Sequence, residues 1–518
     1  MQLKPFKPET RDAGPVAVID VGAYSARLRI VQITETVGFD ILDEAVQTLP
    51  LGNDVFREGN IQPANIRLAE EIFRDFSRLM HEYGVEKYRA VGTSAVREAL
   101  NRDIFLNRIQ LASGIHLDVL EGASEARLIF LAVKDALRGR FAFTKGNAVI
   151  YTIGTGSSQV SVVEEGMLAS ADTIRLGTLR LIEELGQRMT PQKLREAVDP
   201  LVAAVLSGIT RMASGVHPEN VIAVGAPVRA LITIGRKRVP KHCATMSRDN
   251  FRRIFAKVAN MSVDELVSTY HFNDLDAAGI EPCCHMIDQL FAITGAKRMV
   301  VPMVNTRDAL TEDLMREISG QPDPFIPQMI HAAGNLANRY NCDETHWRTV
   351  SRLAVNLFDL INDIHGLKPR DRVLLEIVGV LHEVGLFISN RQHHKHSFYL
   401  LKNSELPGIT SEEQYLISVV SRYHRRATPK TSHTEYMTLA PDDRVRVSKL
   451  AAILRVADAL DRAHQGKIRD MQAVIEDERV ILRVLGPQDL TLERWGLSRK
   501  ADMFQQVFGR KIVLERRS

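Results

Sequence analysis

Cysteine and long apolar runs are scarce in this 518-residue chain. Four cysteines exclude a disulfide framework and are typical of a reducing compartment. Cys283 and Cys284 are adjacent but lack the spaced second pair of a zinc site, so we expect them in a core. Charge breaks the apolar runs before the ~18 residues that a membrane span needs, and the first residues lack a signal peptide's apolar core. We therefore predict a cytoplasmic protein without a membrane partner.

A large excess of one charge is also missing. Lysine and arginine number 67 against 63 acidic residues, a formal net charge of +4. This balance indicates little about partners, and we expect no specific nucleic acid. Hydrophobic residues at 45% and charged residues at 25% are typical of a soluble globular protein. At about 150 residues per domain, the length predicts roughly three or four domains.

The order of apolar patterns predicts an α/β fold with four domains. Short alternating runs and then β–α alternation fill residues 1–145, and the opening pattern of strand, glycine turn and strand returns near Asn147. This repetition predicts two related lobes, 1–145 and 146–320, with a binding cleft between them. Helical spacing then indicates an all-α domain at 321–472, and returning strands indicate a small α/β appendage at 473–518.

The two glycine turns are candidate phosphate sites. Glycine in a tight hairpin lets an oxygen-rich group approach the backbone, and a nearby hydroxyl can donate to phosphate. Asp20 ends the first strand and is suited to holding Mg²⁺. The turn residues predicted to bind phosphate are Gly22, Ser25, Gly154, Gly156 and Ser157. Either turn alone is most often just a hairpin, whereas two in matching positions indicate a shared ligand.

Two further residues lie between the turns. Arg97 stands near a strand-to-helix junction, where a guanidinium can clamp phosphate. Glu125 stands in the first turn of a helix, and its pattern alone favours a carboxylate that stabilises the helix dipole.

Several segments together resemble the exopolyphosphatase/guanosine pentaphosphate phosphatase (Ppx/GppA) family. They include "AVIDVGAYSARLRIV", "VGTSAVREALNRDIFL", "LEGASEARLIFLAV", "IYTIGTGSSQVSVV", "RLGTLRLIEEL", "LHEVGLFISNRQHHKHSFYLLKNSELPGI" and "SRYHRRA". The resemblance implies two ribonuclease H-like lobes of the actin/Hsp70/sugar kinase superfamily. It also implies release of terminal orthophosphate from inorganic polyphosphate or guanosine pentaphosphate, and a homodimer.

The same resemblance implies roles for individual residues. Glu125 is the implied catalytic base that orients or deprotonates the attacking water. Arg97, Ser25 and Ser157 are the implied phosphate ligands, and Asp20 helps to place Mg²⁺.

The chain departs from the family pattern at four places. The first turn, usually D-x-G-S-N-S, has Ala23 and Tyr24 instead of serine and asparagine. The second turn, usually D-I-G-G-G-S-T-E, has Thr152 and Gln159 in place of both carboxylates. A later glycine-serine/glycine-glycine-threonine run becomes "GAPV" at 225–228, and S-D-G-A-L-R-E-G becomes "TRDALTED" at 306–313. These losses leave open a second hypothesis, a polyphosphate or alarmone sensor with weakened catalysis.

The predicted helical domain carries its own constellation, which resembles the H…HD…D ligands of HD phosphohydrolases. Its members are His346, His382, Glu383 and Asp458, with glutamate as the middle carboxylate. A second divalent metal at this site gives a third hypothesis, a metal-dependent phosphohydrolase.

Basic residues and histidines cluster nearby in "RQHHKHS" and "RYHRRA". The imidazole nitrogens are suited either to a metal site or, together with the cations, to a path for a polyanion. We favour the path, because the Ppx/GppA resemblance implies that this domain extends the groove for polyphosphate. The predicted path consists of His394, Lys395, His396, Arg422, His424, Arg425 and Arg426.

Overall fold

The computed structural model describes residues 14–34, 38–138, 147–185, 196, 198–200, 203, 220–236, 239–425, 427–485 and 489–516. The chain divides into two compact units, Met1–Asp323 and Pro324–Ser518, and each is described by itself.

The first lobe of the first unit contains a five-stranded sheet. Its elements are β1 (Val16–Val21), β2 (Ser25–Thr34), β3 (Gly38–Thr48), α1 (Leu51–Glu58), α2 (Pro63–Glu82), β4 (Lys87–Gly92), α3 (Ser94–Glu98), α4 (Arg102–Ser113), β5 (Asp118–Val119) and α5 (Gly122–Ala136). The strand order is β3-β2-β1-β4-β5, antiparallel from β1 to β3 and parallel from β1 to β5.

The second lobe repeats this arrangement. Its elements are β6 (Ala148–Ile153), β7 (Ser158–Glu164), β8 (Met167–Ile174), α6 (Thr178–Leu185), β9 (Asn220–Val224), α7 (Ala226–Gly235), β10 (Cys243–Ser247), α8 (Arg248–Val258), α9 (Val263–Tyr270), α10 (Asp274–Ala278), α11 (Ile280–Thr294) and β11 (Arg298–Pro302). The strand order is β8-β7-β6-β9-β11-β10, in which β10 adds an antiparallel edge to the pattern of the first sheet.

Each sheet packs helices around a separate apolar core. In the first lobe, Ile19 of β1 shares a core cluster with Phe73 and Phe76 of α2. In the second lobe, the cluster includes the buried pair Cys283 and Cys284, as expected from the sequence. Near-continuous burial of β1 and β6 fits central strands, whereas β3 exposes many of its residues as an edge strand.

The chain returns to the first sheet after β11. Helix α12 (Thr306–Ile318) begins with a capping box between Asn305 and Asp308 and packs against β1 and α5. Asp308 Oδ1 accepts a hydrogen bond from Arg29 Nη1 at 2.6 Å. This return brings residues 306–313 beside the end of β1.

The second unit begins with a bundle of helices. They are α13 (Ile326–Arg339), α14 (Glu344–Leu360), α15 (Asn362–His365), α16 (Pro369–Leu381), a 3₁₀ helix (Val384–Phe387), α17 (His393–Lys402), α18 (Ser411–Arg422), α19 (Thr434–Met437) and α20 (Pro441–Leu460). Helix α14 packs against α16 and α20 in the middle of the bundle.

A three-stranded sheet and two helices complete the second unit. They are β12 (Asp470–Ile475), β13 (Arg479–Leu485), α21 (Thr491–Lys500), α22 (Asp502–Phe508) and β14 (Lys511–Arg516), with strand order β12-β13-β14. The fully buried Arg455 of α20 fixes the last helices, because its guanidinium donates to Lys500 O at 2.9 Å and to Asp502 Oδ1 at 2.8 Å.

The predicted fold class is confirmed: two α/β lobes with mixed sheets of related strand order, a helical domain and a small C-terminal sheet. None of the helices in the described ranges is both long enough and apolar enough to cross a membrane.

Candidate functional site

The two predicted glycine turns lie against each other. Within each turn the first glycine N–H is already engaged: Gly22 donates to Ser25 O at 2.9 Å, and Gly154 donates to Ser157 O at 3.0 Å. A Cβ built on Gly156 would stand 3.2 Å from Ala23 Cβ, across the boundary between the lobes. The structure therefore brings the predicted turn residues together. Glycine is favoured at 156 because a Cβ there would also come within 2.6 Å of Phe56 Cζ and Ser94 Oγ.

Arg180 at the start of α6 joins the second turn to the first lobe. Its Nε donates to Gly156 O at 2.6 Å, its Nη2 lies 2.7 Å from Glu98 Oε1, and its guanidinium lies 3.8 Å from the centre of the Phe56 ring. Glu98 and Phe56 belong to the first lobe, so one buried side chain joins both lobes beside the turns. Nothing in the local sequence indicates this role beyond the residue's place in "RLGTLRLIEEL".

Glu125 and Arg97 form a pair near the same boundary. Arg97 Nη1 lies 3.4 Å from Glu125 Oε2 and donates to Leu120 O at 2.5 Å. Burial raises the pKa of the Glu125 carboxyl above its ordinary value, and the neighbouring Arg97 opposes this effect only in part. A buried carboxylate with a raised pKa is suited to accepting a proton from water.

Gln159 supports the helix that carries Glu125. Its Nε2 donates to Gly122 O at 2.7 Å, at the first residue of α5, and to Thr173 Oγ1 of β8 at 3.0 Å. A carboxylate at this position has no proton to donate to a carbonyl, so the glutamine is a structural tie between the second sheet and α5. The neutral residue that departs from the family pattern thus has a positioning role.

Asp20 has an arginine beside it. Arg307 Nε lies 3.3 Å from Asp20 Oδ1, and Arg307 Nη1 lies 3.1 Å from Glu44 Oε1. Burial raises the pKa of Asp20, while Arg27, Arg307 and Arg29 oppose the rise. Arg307 stands in "TRDALTED", at the position where the family pattern has aspartate, so the sequence did contain a signal for this contact.

More cations surround Asp20. Arg27 faces Asp20 in the β1–β2 register, and its buried Nε has no hydrogen-bond partner among the described residues. Arg229 of α7 comes from the second lobe and donates to Val304 O at 3.1 Å. Burial lowers the pKa of Arg229, and the positive charges of Arg27 and Arg307 add to this effect. The end of β1 is therefore rich in arginine from both lobes.

The residues around Asp20 do not fit a magnesium site. Mg²⁺ requires an octahedral set of oxygen ligands, usually with one or two carboxylates free to bind. Here Asp20 faces Arg307, and the second turn offers Thr152 and Gln159. Within the described ranges, the one group of three or more closely placed metal-ligating side chains lies elsewhere, at His346, His382 and Glu383. Mg²⁺ beside Asp20 stays a prediction without a supporting ligand set.

The predicted HD-like residues come together in the second unit. His346 lies at the start of α14, His382 and Glu383 follow α16, and Asp458 lies near the end of α20. His346 Nε2 lies 3.9 Å from Glu383 Oε2 and 3.8 Å from Asp458 Oδ1. The longer glutamate side chain still reaches this group.

Two imidazole nitrogens at this site are available for a metal. His382 Nδ1 is 2.8 Å from Gly379 O, and His346 Nδ1 is 2.9 Å from Asp461 Oδ2. Each ring therefore directs Nε2 inward, and both Nε2 atoms are buried without a hydrogen-bond partner among the described residues. Such oriented imidazoles, with Glu383, fit a divalent transition metal.

Burial and charge act differently on the members of this site. Burial lowers the pKa of His382 to about 3, so its ring is neutral at physiological pH. Burial also raises the pKa of Glu383. Burial alone would raise the pKa of Asp458, but Lys500 and the surrounding histidines lower it overall. Lys500 Nζ forms an ion pair with Asp458 Oδ2, so this predicted ligand already has a cation.

Sequence reasoning did not assign Asp461 and Lys500 to this site, and it named His393 only among several histidines suited to a metal. Asp461 orients His346, Lys500 comes from α21, and His393 Nε2 lies 3.0 Å from His424 Nε2. The histidine run "RQHHKHS" and the carboxylate three residues after Asp458 were local signals. Nothing near residue 500 in the sequence indicates a contact with Asp458.

The residues of the predicted polyanion path differ in burial and in their partners in the structure. His424 is buried, with its ring 5.2 Å from the ring of His382, so it faces the metal-ligand group. Arg422 forms an ion pair with Glu435 at 2.6 Å. Burial and the neighbouring cations lower the pKa of His394 to about 4. The remaining members are the exposed Lys395, the half-buried His396 and Arg425, and Arg426, which lies outside the described residues.

Two family models match the chain. The model described as "Ppx/GppA phosphatase family" matches residues 29–278, and the model described as "Ppx/GppA phosphatase, domain III" matches residues 330–500. The matched ranges contain the second glycine turn, Glu125 and the HD-like residues, but they begin after Asp20 and end before Arg307 in the first unit.

Curated relatives match over most of the chain. A guanosine-5'-triphosphate,3'-diphosphate pyrophosphatase of Vibrio vulnificus is 23% identical over 465 residues, 87% of each chain. The protein of the same name from Photobacterium profundum is 23% identical and covers 84% of each chain.

A solved structure supports the fold of the lobes. An exopolyphosphatase from Cytophaga hutchinsonii superposes with a TM-score of 0.53 at 20% identity, covering 60% of this chain and 99% of its own. The Aquifex aeolicus member of the Ppx/GppA family gives a TM-score of 0.50, also at 20% identity, covering 59% of this chain and 98% of its own.

Proposed function

Because the chain belongs to the Ppx/GppA phosphatase family, we propose that it releases the terminal orthophosphate of guanosine pentaphosphate or inorganic polyphosphate between the two lobes of its first unit. The observation that carries the proposal is the largely buried Glu125, held 3.4 Å from Arg97 where both lobes meet the start of α5. The curated relatives, named for pyrophosphatase action on guanosine pentaphosphate, favour that substrate.

The proposed step is an in-line attack of water on the terminal phosphorus. Glu125 accepts a proton from the water, a new P–O bond forms, and the bond from phosphorus to the bridging oxygen breaks. The bridging oxygen leaves with the shortened substrate, and orthophosphate is the other product. Arg97 is close enough to hold the Glu125 carboxylate and to offset phosphoryl charge.

The glycine turns hold the phosphates in this proposal. The Gly22 and Gly154 N–H groups are engaged within the turns, so these glycines contribute close access rather than hydrogen bonds. Ser25 and Ser157 are half-buried and supply hydroxyl donors. Gly156 is buried and allows the second turn to pack closely against Phe56, Ser94 and Ala23 of the first lobe. No step is assigned to Mg²⁺ because the side chains at Asp20 do not provide a ligand set.

The sensor hypothesis shares this binding site but not the turnover. It is favoured by the neutral Thr152 and Gln159 and by the arginine beside Asp20. In this case the protein binds the same phosphate chains and releases no orthophosphate.

The HD-like group favours a second candidate activity. The inward-facing Nε2 atoms of His346 and His382, with Glu383, would hold a transition metal that activates water for attack on a phosphoester. The homodimer stays a prediction, since the structure describes a single chain.

Orthophosphate release from guanosine pentaphosphate and from polyphosphate separates these activities. We expect Glu125→Gln to lower the rate at least about 100-fold, because it removes the proton acceptor and keeps the shape. The matched control is Glu70→Gln, whose carboxylate pairs with Arg108 at 2.6 Å in the same lobe. The control should keep the wild-type rate.

Other outcomes identify the alternatives. Tight substrate binding with no release by the wild type supports the sensor. Release that survives Glu125→Gln and disappears in His382→Ala assigns the chemistry to the HD-like group and contradicts the proposal. The two substrates are assayed separately, so that their rates define the preference.

A further inference from the structure

Arg307 occupies the place of a cation at the end of β1. Its guanidinium lies 3.3 Å from Asp20 Oδ1 and 3.1 Å from Glu44 Oε1. Both Asp20 and Arg307 are largely buried, with side chains 13% and 14% exposed. A divalent ion on Asp20 would have to displace a guanidinium or share the carboxylate with it, and either arrangement costs electrostatic energy.

The other side chains at this point do not favour a metal either. Thr152 and Gln159 carry no charge. The amide nitrogen of Gln159 donates to Gly122 O and Thr173 Oγ1, while its buried Oε1 has no hydrogen-bond partner among the described residues. Arg29 forms ion pairs with Glu44 and with Asp308, which lies on the same helix as Arg307. Glu44 also pairs with Arg307. Asp20 Oδ1 and Glu44 Oε1 therefore already lie beside the Arg307 guanidinium, although Asp20 Oδ1 accepts no hydrogen bond among the described residues.

Two more arginine side chains contribute positive charge near Asp20. Arg27 has a buried Nε without a hydrogen-bond partner among the described residues, and Arg229 brings a second guanidinium from the other lobe. Burial lowers the pKa of Arg307, and Arg29 and Arg27 contribute in the same direction, so an added negative charge would relieve this crowding. Guanidinium groups also bind phosphate oxygens in pairs, which a single ammonium cannot do.

We infer that Arg307 is a tethered replacement for the divalent cation, so that this cleft binds phosphoanhydride chains without metal. The inference rests on the proposed function for the identity of the ligand and concerns how its charge is neutralised. It adds Arg307 as a binding residue and predicts that Asp20 positions Arg307 rather than Mg²⁺.

Binding of inorganic tripolyphosphate, measured by titration calorimetry on the full chain, tests this inference. In EDTA the wild type should bind about as tightly as in about 1 mM Mg²⁺. Arg307→Ala should weaken binding in EDTA roughly tenfold, the usual effect of losing one charge-assisted contact. Arg307→Lys keeps the charge and should retain most of the affinity.

Magnesium rescue distinguishes this role from a structural one. Arg307→Ala frees the Asp20 carboxylate, so Mg²⁺ should restore part of the lost affinity in that variant and in no other. The matched control is Arg316→Ala, on the same helix, whose guanidinium lies 3.3 Å from Asp135 Oδ2. It should bind as the wild type does.

Two results overturn the inference: wild-type binding that requires Mg²⁺, or Arg307→Ala binding equal to wild type in EDTA. If Arg307→Ala does not fold, the inference is still tested by whether the wild type and Arg307→Lys bind tripolyphosphate in EDTA. Metal-free binding without hydrolysis refutes the proposed function alone. Metal-dependent hydrolysis that Glu125→Gln abolishes refutes this inference alone.

Discussion

At the scale of single residues, some positions where the family pattern has a carboxylate carry a side chain that makes a different contact in this protein. Gln159 donates a hydrogen bond to Gly122 O, which a carboxylate cannot do. Arg307 stands where the family pattern has an acid and forms an ion pair with Asp20. Glu125 remains an acid although burial disfavours its charged form. A costly buried carboxylate that persists beside such replacements is best explained by chemistry.

The raised pKa of Glu125 predicts an effect on stability with a definite sign. Burial disfavours the ionised form in the folded state, so stability is lost as the pH rises from the ordinary value of 4.5 through the raised pKa. We therefore expect Glu125→Gln to have a higher Tm than the wild type at about pH 8 and a similar Tm at about pH 4. Thermal unfolding followed by circular dichroism at both pH values measures this.

Glu70→Gln is again the control, and it should not show this gain at the higher pH. A lower Tm for Glu125→Gln there would mean that the Arg97 ion pair outweighs the cost of burial. The pH dependence of the rate should agree in sign. Orthophosphate release should fall as the pH drops through the raised pKa, since only the ionised carboxylate accepts a proton.

At the scale of elements, the sequence pattern predicted those helix ends, turns and strands that depend on residues close together along the chain. Helix α2 begins at Pro63 and is followed by Gly84 at φ +67°, as the sequence indicates. The glycine turns and the strands beside them also follow from alternation and turn chemistry. The return of α12 to the first sheet could not be predicted from local sequence. Its contacts with Arg29 and Arg89 join residues that are 279 and 224 positions apart.

Long-range ion pairs explain what was missed at the candidate sites. Asp20 and the HD-like quartet could be chosen by residue type, and the structure brings the quartet together. Of their partners, Arg307 was marked only by its departure from the family pattern, and Lys500 could not be chosen, because many lysines have equal local patterns. Only folding determines which cation meets which carboxylate.

Helix α6 offers a test of the contact between the lobes. Arg180 on this helix and Arg175 just before it both reach Glu98, at 2.7 Å and 3.5 Å, but their side chains are 6% and 79% exposed. We expect Arg180→Ala to destabilise the protein by about 3 kcal/mol, because it leaves Glu98 and Gly156 O without a buried donor. Arg175→Ala should change stability by less than about 0.5 kcal/mol.

Urea unfolding followed by far-UV circular dichroism compares the two variants. Equal, small effects would show that the contact at Gly156 O contributes little to holding the lobes together. Orthophosphate release should also decline in Arg180→Ala, since the turn that carries Ser157 loses its support.

At the scale of the whole molecule, the chain has two units with separate chemistry. The first joins two repeated sheets around arginine-rich phosphate candidates, and the second places histidines in the middle of a helical bundle. We expect Mn²⁺ to stabilise the second unit specifically, because a ligand that binds only the folded form adds about 2.7 kcal/mol at roughly 100 times its Kd.

Hydrogen exchange with and without Mn²⁺ locates this effect. Exchange should slow at the ends of α14, α16 and α20 and stay unchanged in the first sheet. His382→Ala should abolish the protection, whereas the exposed His331→Ala should keep it. Protection that persists in His382→Ala would contradict the metal assignment at this group.

The ion pair between Lys500 and Asp458 has a consequence for biosynthesis. Asp458 precedes Lys500 by 42 residues, so during synthesis the carboxylate leaves the ribosome before its cation. Lys500 pairs with Asp458 only after the final helices pack against the bundle, where Arg455 donates hydrogen bonds to Lys500 O and Asp502 Oδ1. Premature termination after the bundle would therefore release a chain whose interior holds an uncompensated anion, and such a chain should be a substrate for quality control.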